Sequence, residues 1–200
     1  MTTPSPAEGQ LEAWAVALAE EMLGMLPRRW RHDAAVIARA REIRDIAGND
    51  GDLLVAAAAL HDLGCAPGTK RCRLEPLDAA WFLQGLGAPK RLINLVANLD
   101  CGSIEAEMRG LGSLHVFPDE EGVVRDALWY CCLTVGAEGQ PTTFAERDAV
   151  MHEDYVGDPI TVRFFETATP ELKAAIRRTE ERLADLQLTE PDSLQEPSSR

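Results

Sequence analysis

The chain has 200 residues and a formal net charge of -13, with 46% apolar but only 6% aromatic residues. That length and apolar share suit one domain with one sizeable core. So acidic a surface repels phosphate backbones and excludes a broad nucleic-acid interface. A small phosphorylated molecule is still acceptable, because one basic cluster or a bound cation is enough to hold it.

Residues 1–10 lack the basic and apolar regions of a secretory signal. The longest uncharged run, 127–137, falls well short of the roughly 20 residues of a membrane span. The five cysteines are irregularly spaced and form no C-x-x-C pair, which argues against a zinc ribbon or a disulfide framework. The expectation is a cytoplasmic protein with no membrane partner.

In chain order, residues 1–9 read as a flexible N-terminus, 10–188 as one helical domain and 189–200 as a disordered tail. Leu11, Trp14, Leu18 and Met22 form an apolar stripe at helical spacing; Val36, Ile37, Ala40, Ile43 and Ala47 form the next. Asp52 is the expected N-cap of the segment LLVAAAALHDLG, and Gly64 its stop. Pro76 and Pro89 are placed to open two further helices. Later helices are expected at 103–110, 121–134, 143–155 and 170–187. Pro159–Phe165 is β-branched enough to be a strand, but too few such runs exist to build a sheet. The fold class is all-α.

The chemistry-bearing segment is Leu60-His61-Asp62-Leu63-Gly64, closing an apolar helix. Burying a His and an Asp there is costly without a partner, and a divalent cation accepts lone pairs from both. The alternative is that Asp62 caps a neighbouring helix while His61 bonds a carbonyl. If the Gly48–Gly51 turn joins antiparallel helices, His32 at the start of one lies beside His61 at the end of the next. His32, His61 and Asp62 then face one point. Lys70, Arg71 and Arg73 form the densest basic cluster and follow directly, so they are candidates for a substrate phosphate; a solvated loop is the other reading. His115 and His152 sit in polar context and read as surface residues.

A His followed one helix pair later by His-Asp-Leu-Gly resembles the HD-domain metal-dependent phosphohydrolases. The similarity runs over roughly 26–185 and includes Leu26-Pro27-Arg28-Arg29-Trp30-Arg31-His32, Pro76-Leu77-Asp78, Ile104-Glu105-Ala106-Glu107 and Asp126-Ala127-Leu128-Trp129-Tyr130-Cys131. The resemblance implies an HD-like helical bundle, one or two divalent metals held by His32, His61 and Asp62, and hydrolysis of a phosphoester with Asp62 as orienting base. It also marks departures. Glu75 stands where a His is expected, Asn98-Leu99-Asp100 where His-His-Ser is expected, and Cys132 where the closing Asp is expected.

Cys132 is then either a soft metal ligand or a small buried apolar group. Glu75, and less directly Asp100, would keep a carboxylate near the metal or remain solvated. Asp126 should face away, since six positions place it about 240° around the helix from Cys132. Two functions follow: a hydrolase of a small phosphorylated molecule with an incomplete metal site, or a degenerate HD-fold protein kept as a binding or regulatory module.

Overall fold

A computed structural model describes Pro6 and residues 9–111, 116–154 and 158–189. Among these, nine α-helices follow one another: α1 (Leu11–Leu23), α2 (Pro27–Ile43), α3 (Gly51–Leu60), α4 (Glu75–Gly85), α5 (Lys90–Ala97), α6 (Gly102–Met108), α7 (Val123–Leu133), α8 (Phe144–Asp154) and α9 (Pro159–Thr189). The described residues contain no strand beyond one isolated bridge, Val135 with Pro141. None of the described helices is long and apolar enough to cross a membrane. The segments read as loose ends, 1–9 and 189–200, fall almost entirely outside the described residues, as does His115; α8 carries His152, whose side chain is not described.

α3 occupies the centre. Every residue from Leu53 to Leu60 is buried, and α1, α2, α5 and α7 all pack against it. A helix apolar all round has no solvent face to offer. Its Ala56–Ala59 run lets neighbouring backbones come close on every side.

The connection from α2 to α3 is a 3₁₀ segment, Arg44–Asp50, broken at Gly48 with φ 54° and ψ -122°. That backbone region is closed to residues with a Cβ, so the reversal requires glycine here. Asp52 is not the N-cap: α3 begins at Gly51, and Asp52 in its first turn pairs with Arg44. Pro76 does lie in the first turn of α4, whereas Pro89 sits one residue before α5 as its N-cap.

The segment 159–165 is helical rather than extended. Pro159 opens α9, and Thr161, Phe164, Phe165, Ala168, Leu172, Ala175, Ile176 and Thr179 are all buried at three- and four-residue spacing. Burial of that stripe against α6 and α7 outweighs the strand preference of its β-branched residues. The seam between α7 and α9 is polar at one point. Buried Asp126 accepts from Arg178 Nε at 2.7 Å and Arg178 Nη2 at 2.9 Å, and Arg125 reaches Glu171 at 2.8 Å. Asp126 is therefore committed to α9.

Gly64 follows the His-Asp pair in the 3₁₀ turn Leu63–Cys65, against which α4 packs. A Cβ there would stand 2.0 Å from the carbonyl oxygen of Glu75. Gly64→Ala must push the start of α4 off this turn. The expected loss is about 1–3 kcal/mol or more of stability, read as a lower urea midpoint; an unchanged midpoint would mean that α4 is not seated there.

Candidate metal centre

The antiparallel turn brings the start of α2 to the end of α3. The His32 and His61 rings lie edge to face with centroids 5.4 Å apart. Ligand atoms of His32, His61 and Asp62 all fall within 4.8 Å of one another, and all three residues are buried. The three residues singled out from sequence converge on one point.

Backbone carbonyls fix both imidazoles. His61 Nδ1 donates to the Ala58 carbonyl at 2.7 Å, one turn back on α3. His32 Nδ1 donates to the Gly136 carbonyl at 3.0 Å, in the loop after α7. Since a carbonyl only accepts, each neutral ring carries its proton on Nδ1 and leaves the Nε2 lone pair free. His61 Nε2 is buried and has no hydrogen-bond partner. Burial, reinforced by the neighbouring His61, pushes the His32 pKa down to about 4, so this ring is neutral at pH 7.

Arg29, one turn before Asp33 on α2, donates from Nη1 to Asp62 Oδ2 at 2.8 Å. Burial opposes ionisation of Asp62, yet His61, Arg29 and His32 around it hold the carboxyl well below its ordinary range. Asp62 also meets Cys65 and Glu75 in a second group of converging ligand atoms. Arg29 lies within electrostatic reach of all three and supplies their positive charge. Burial, with Asp62 and Glu75 nearby, raises the Cys65 thiol far above its usual range, so it is a protonated thiol.

Glu75, exposed at the N-terminus of α4, thus does approach Asp62. Lys70, Arg71 and Arg73 are exposed on the loop between the His-Asp turn and α4, with no hydrogen bond or ion pair to the cluster. That loop is tied down from inside, where the Cys72 amide donates to buried Asp78 Oδ1 at 2.8 Å. Cys132 belongs to neither ligand group. It is buried on α7, and burial together with Asp100, Asp62 and Asp33 raises its pKa well above the usual thiol value.

Two residues escaped the sequence reading. Asp33 is fully buried on α2, no N–H or hydroxyl group donates to its oxygens, and Oδ1 lies 3.9 Å from His61 Nε2; its carboxyl faces that of Asp62 closely enough to share a proton with it. Burial and the adjacent Asp62 carboxylate drive its pKa upward. The signal was available: Asp33 continues the stripe Val36, Ile37, Ala40 and Ile43, so a carboxylate stands on the apolar face. Arg147 on α8 is half-buried within electrostatic reach of His32 and Asp100. No local pattern announced it.

No protein-family model matches this chain, and neither a curated protein nor a solved structure matches it. The chemistry of the site rests on its own residues.

Asp100 has a left-handed backbone, φ 47° and ψ 43°, and its Oδ1 is sealed from solvent without a partner. Burial lifts its pKa to about 7. Between the ordinary carboxylate value of about 3.9 and about 7, the unfolded chain releases this proton while the folded chain keeps it, so stability falls as pH rises. Asn tolerates the same backbone and has no proton to lose. Asp100→Asn should match the wild type near pH 4, gain on it up to about pH 7 by at most a few kcal/mol, and level off above. Urea melts in chelator across pH 4–8 measure this; a gain independent of pH would rule out ionisation of Asp100 as the cause.

Proposed function

We propose that the protein is an HD-like, metal-dependent hydrolase of a small phosphorylated molecule, with His32, His61 and Asp62 holding one divalent cation. The observation that carries this reading is the His61 Nε2 lone pair, buried and unpartnered within the converging His32, His61 and Asp62 group. Two neutral imidazoles and a carboxylate are a donor set suited to zinc, manganese or iron. His61 Nε2 stands 3.6 Å from Asp62 Oδ1, within the roughly 4.2 Å that is the largest separation of two atoms each about 2.1 Å from a common ion.

A divalent cation supplies a Lewis acid that acidifies water and offsets charge on a phosphoryl group. The chain's own residues do the rest. Gly136 and Ala58 hold the imidazoles in one tautomer, Arg29 fixes the rotation of the Asp62 carboxylate, and Asp62 orients the attacking water. Arg29 is partly exposed and Arg147 half-buried, so both offer positive charge to an anionic substrate in an otherwise acidic protein. A second cation at Asp62, Cys65 and Glu75 would compete with Arg29 for the Asp62 carboxylate, whose Oδ2 accepts its hydrogen bond. We therefore favour a single ion.

The Arg29–Asp62 pair also favours a second reading, a degenerate HD-fold binding or regulatory protein, because it supplies the counter-charge of Asp62 from within the chain. Metal titration and turnover separate the two. Manganese added to chelator-stripped protein should bind once per chain and, at a hundredfold excess over Kd, stabilise it by about 2.7 kcal/mol. His61→Ala should abolish that shift together with hydrolysis of small phosphomonoesters. A manganese shift with no hydrolysis of any phosphoester tried would establish the binding-module reading, and no shift at all would remove both metal-based readings.

A further inference from the structure

We propose that Arg147, at the start of α8, is the residue that grips the phosphoryl group of the substrate, while Arg29 stays on Asp62. This inference rests on the metal-dependent hydrolase reading above and assigns the substrate contact to one arginine.

The other arginines at the start of α2 are committed. Arg29 donates to Asp62 Oδ2 at 2.8 Å, and Arg28 and Arg31 pair with Glu138 at 2.9 and 2.6 Å. Arg147 has no hydrogen bond and no ion pair among the described residues, and its buried Nε lacks an acceptor. Its Nη groups are not sealed in the same way, so a ligand from solvent can reach them. A half-buried guanidinium without a partner carries a desolvation cost that a bound anion would offset. Lys70, Arg71 and Arg73 carry no such cost, because they are exposed to water.

The path of the chain brings Arg147 to the metal centre. Gly136, whose carbonyl holds His32, opens a turn that lies on α2: a Cβ at Gly139 would stand 2.9 Å from the Arg31 carbonyl oxygen and 3.4 Å from Ala35 Cβ. The Thr142 amide then donates back to the Thr134 carbonyl at 3.0 Å, just past the end of α7. Thr143 and Glu146 fix the start of α8 reciprocally. The Thr143 amide donates to Glu146 Oε2 at 2.8 Å, and the Glu146 amide donates to Thr143 Oγ1 at 3.2 Å. Arg147 follows buried Phe144 by one turn and so shares its inward face. From there its charge is felt by His32 on α2 and by Asp100 ahead of α6, yet it bonds to neither. A guanidinium fork matches two phosphoryl oxygens at once, and a cation so placed offsets the charge they carry.

The test is the affinity of the full-length, manganese-loaded chain for inorganic phosphate, measured by calorimetry. The proteins are wild type, Arg147→Ala, Arg147→Lys, Asp100→Asn, the double variant Arg147→Ala with Asp100→Asn, and Arg177→Ala as an exposed control. Wild type and control should bind one phosphate per chain with equal affinity. Arg147→Ala should lose about tenfold to a hundredfold, the range of a charge-assisted hydrogen bond. Arg147→Lys should regain part of that, since an ammonium keeps the charge but not the fork. The loss should persist in the Asp100→Asn background, where Arg147 has no carboxylate charge to offset. Manganese affinity should not fall in Arg147→Ala, and its melt should stay close to wild type, because it gives up no hydrogen bond. Wild-type phosphate affinity in Arg147→Ala, a loss that vanishes in the Asp100→Asn background, or a parallel fall in manganese affinity would overturn the assignment and leave the metal reading intact. Manganese-loaded wild type that binds no phosphate would also overturn the assignment. No manganese binding by the wild type would overturn both.

Discussion

Because α3 is buried along its whole length, its neighbours can only be spaced by the side chains it presents, and four consecutive alanines keep that spacing small. α1, α2, α5 and α7 consequently converge on a narrow column. The column ends at Leu60, and the next two residues are His61 and Asp62, still inside the protein. An apolar helix that finishes in polar residues before reaching solvent places the burden of satisfying them on its neighbours. α2 responds with Arg29, His32 and Asp33 within its first two turns, and the loop after α7 with the Gly136 carbonyl.

The way those groups are paired is uneven, and the unevenness has chemical meaning. Asp62 has an arginine; Asp33, close by and more deeply buried, has none. Burial and the neighbouring Asp62 carboxylate push the Asp33 pKa up to about 9, so it is buried as a protonated acid rather than as a charge. A chain selecting only for stability would do better with an apolar residue at position 33, where the stripe of Val36, Ile37 and Ala40 already points inward. The perturbed acid stands instead beside His61 and Asp62, where the other buried polar side chains of this end of α3 gather.

Much of this was legible beforehand. Helical periodicity located the elements, and the glycine-rich reversal at Gly48–Gly51 was enough to bring His32 beside His61. The start of α9 reads locally as strand because Thr161, Val162, Phe164 and Phe165 prefer strands, while burial of Thr161, Phe164 and Phe165 is a tertiary effect. His32-Asp33 repeats the His-Asp pair of residues 61 and 62 but near the start of a helix instead of its end, so the pattern alone does not single out Asp33. The Gly136 carbonyl could not have been found at all. It lies 104 positions from His32 and acts through backbone, which carries no residue-type signal.

The two imidazoles therefore depend on the fold in different ways. His61 is oriented by its own helix, through Ala58 three residues back, and is correct as soon as α3 exists. His32 is oriented only when the 135–141 turn has docked on α2. Two salt bridges hold that turn from outside, Glu138 with Arg28 at 2.9 Å and with Arg31, but all three side chains are more than half exposed. Each contributes at most about 1 kcal/mol. Losing the buried His32–Gly136 bond would cost about 1–3 kcal/mol through the group left unsatisfied. The inner contact thus matches or outweighs either outer one, and a ligand that fixes the His32 ring stabilises the docked turn by the same free energy that the docked turn contributes to its binding.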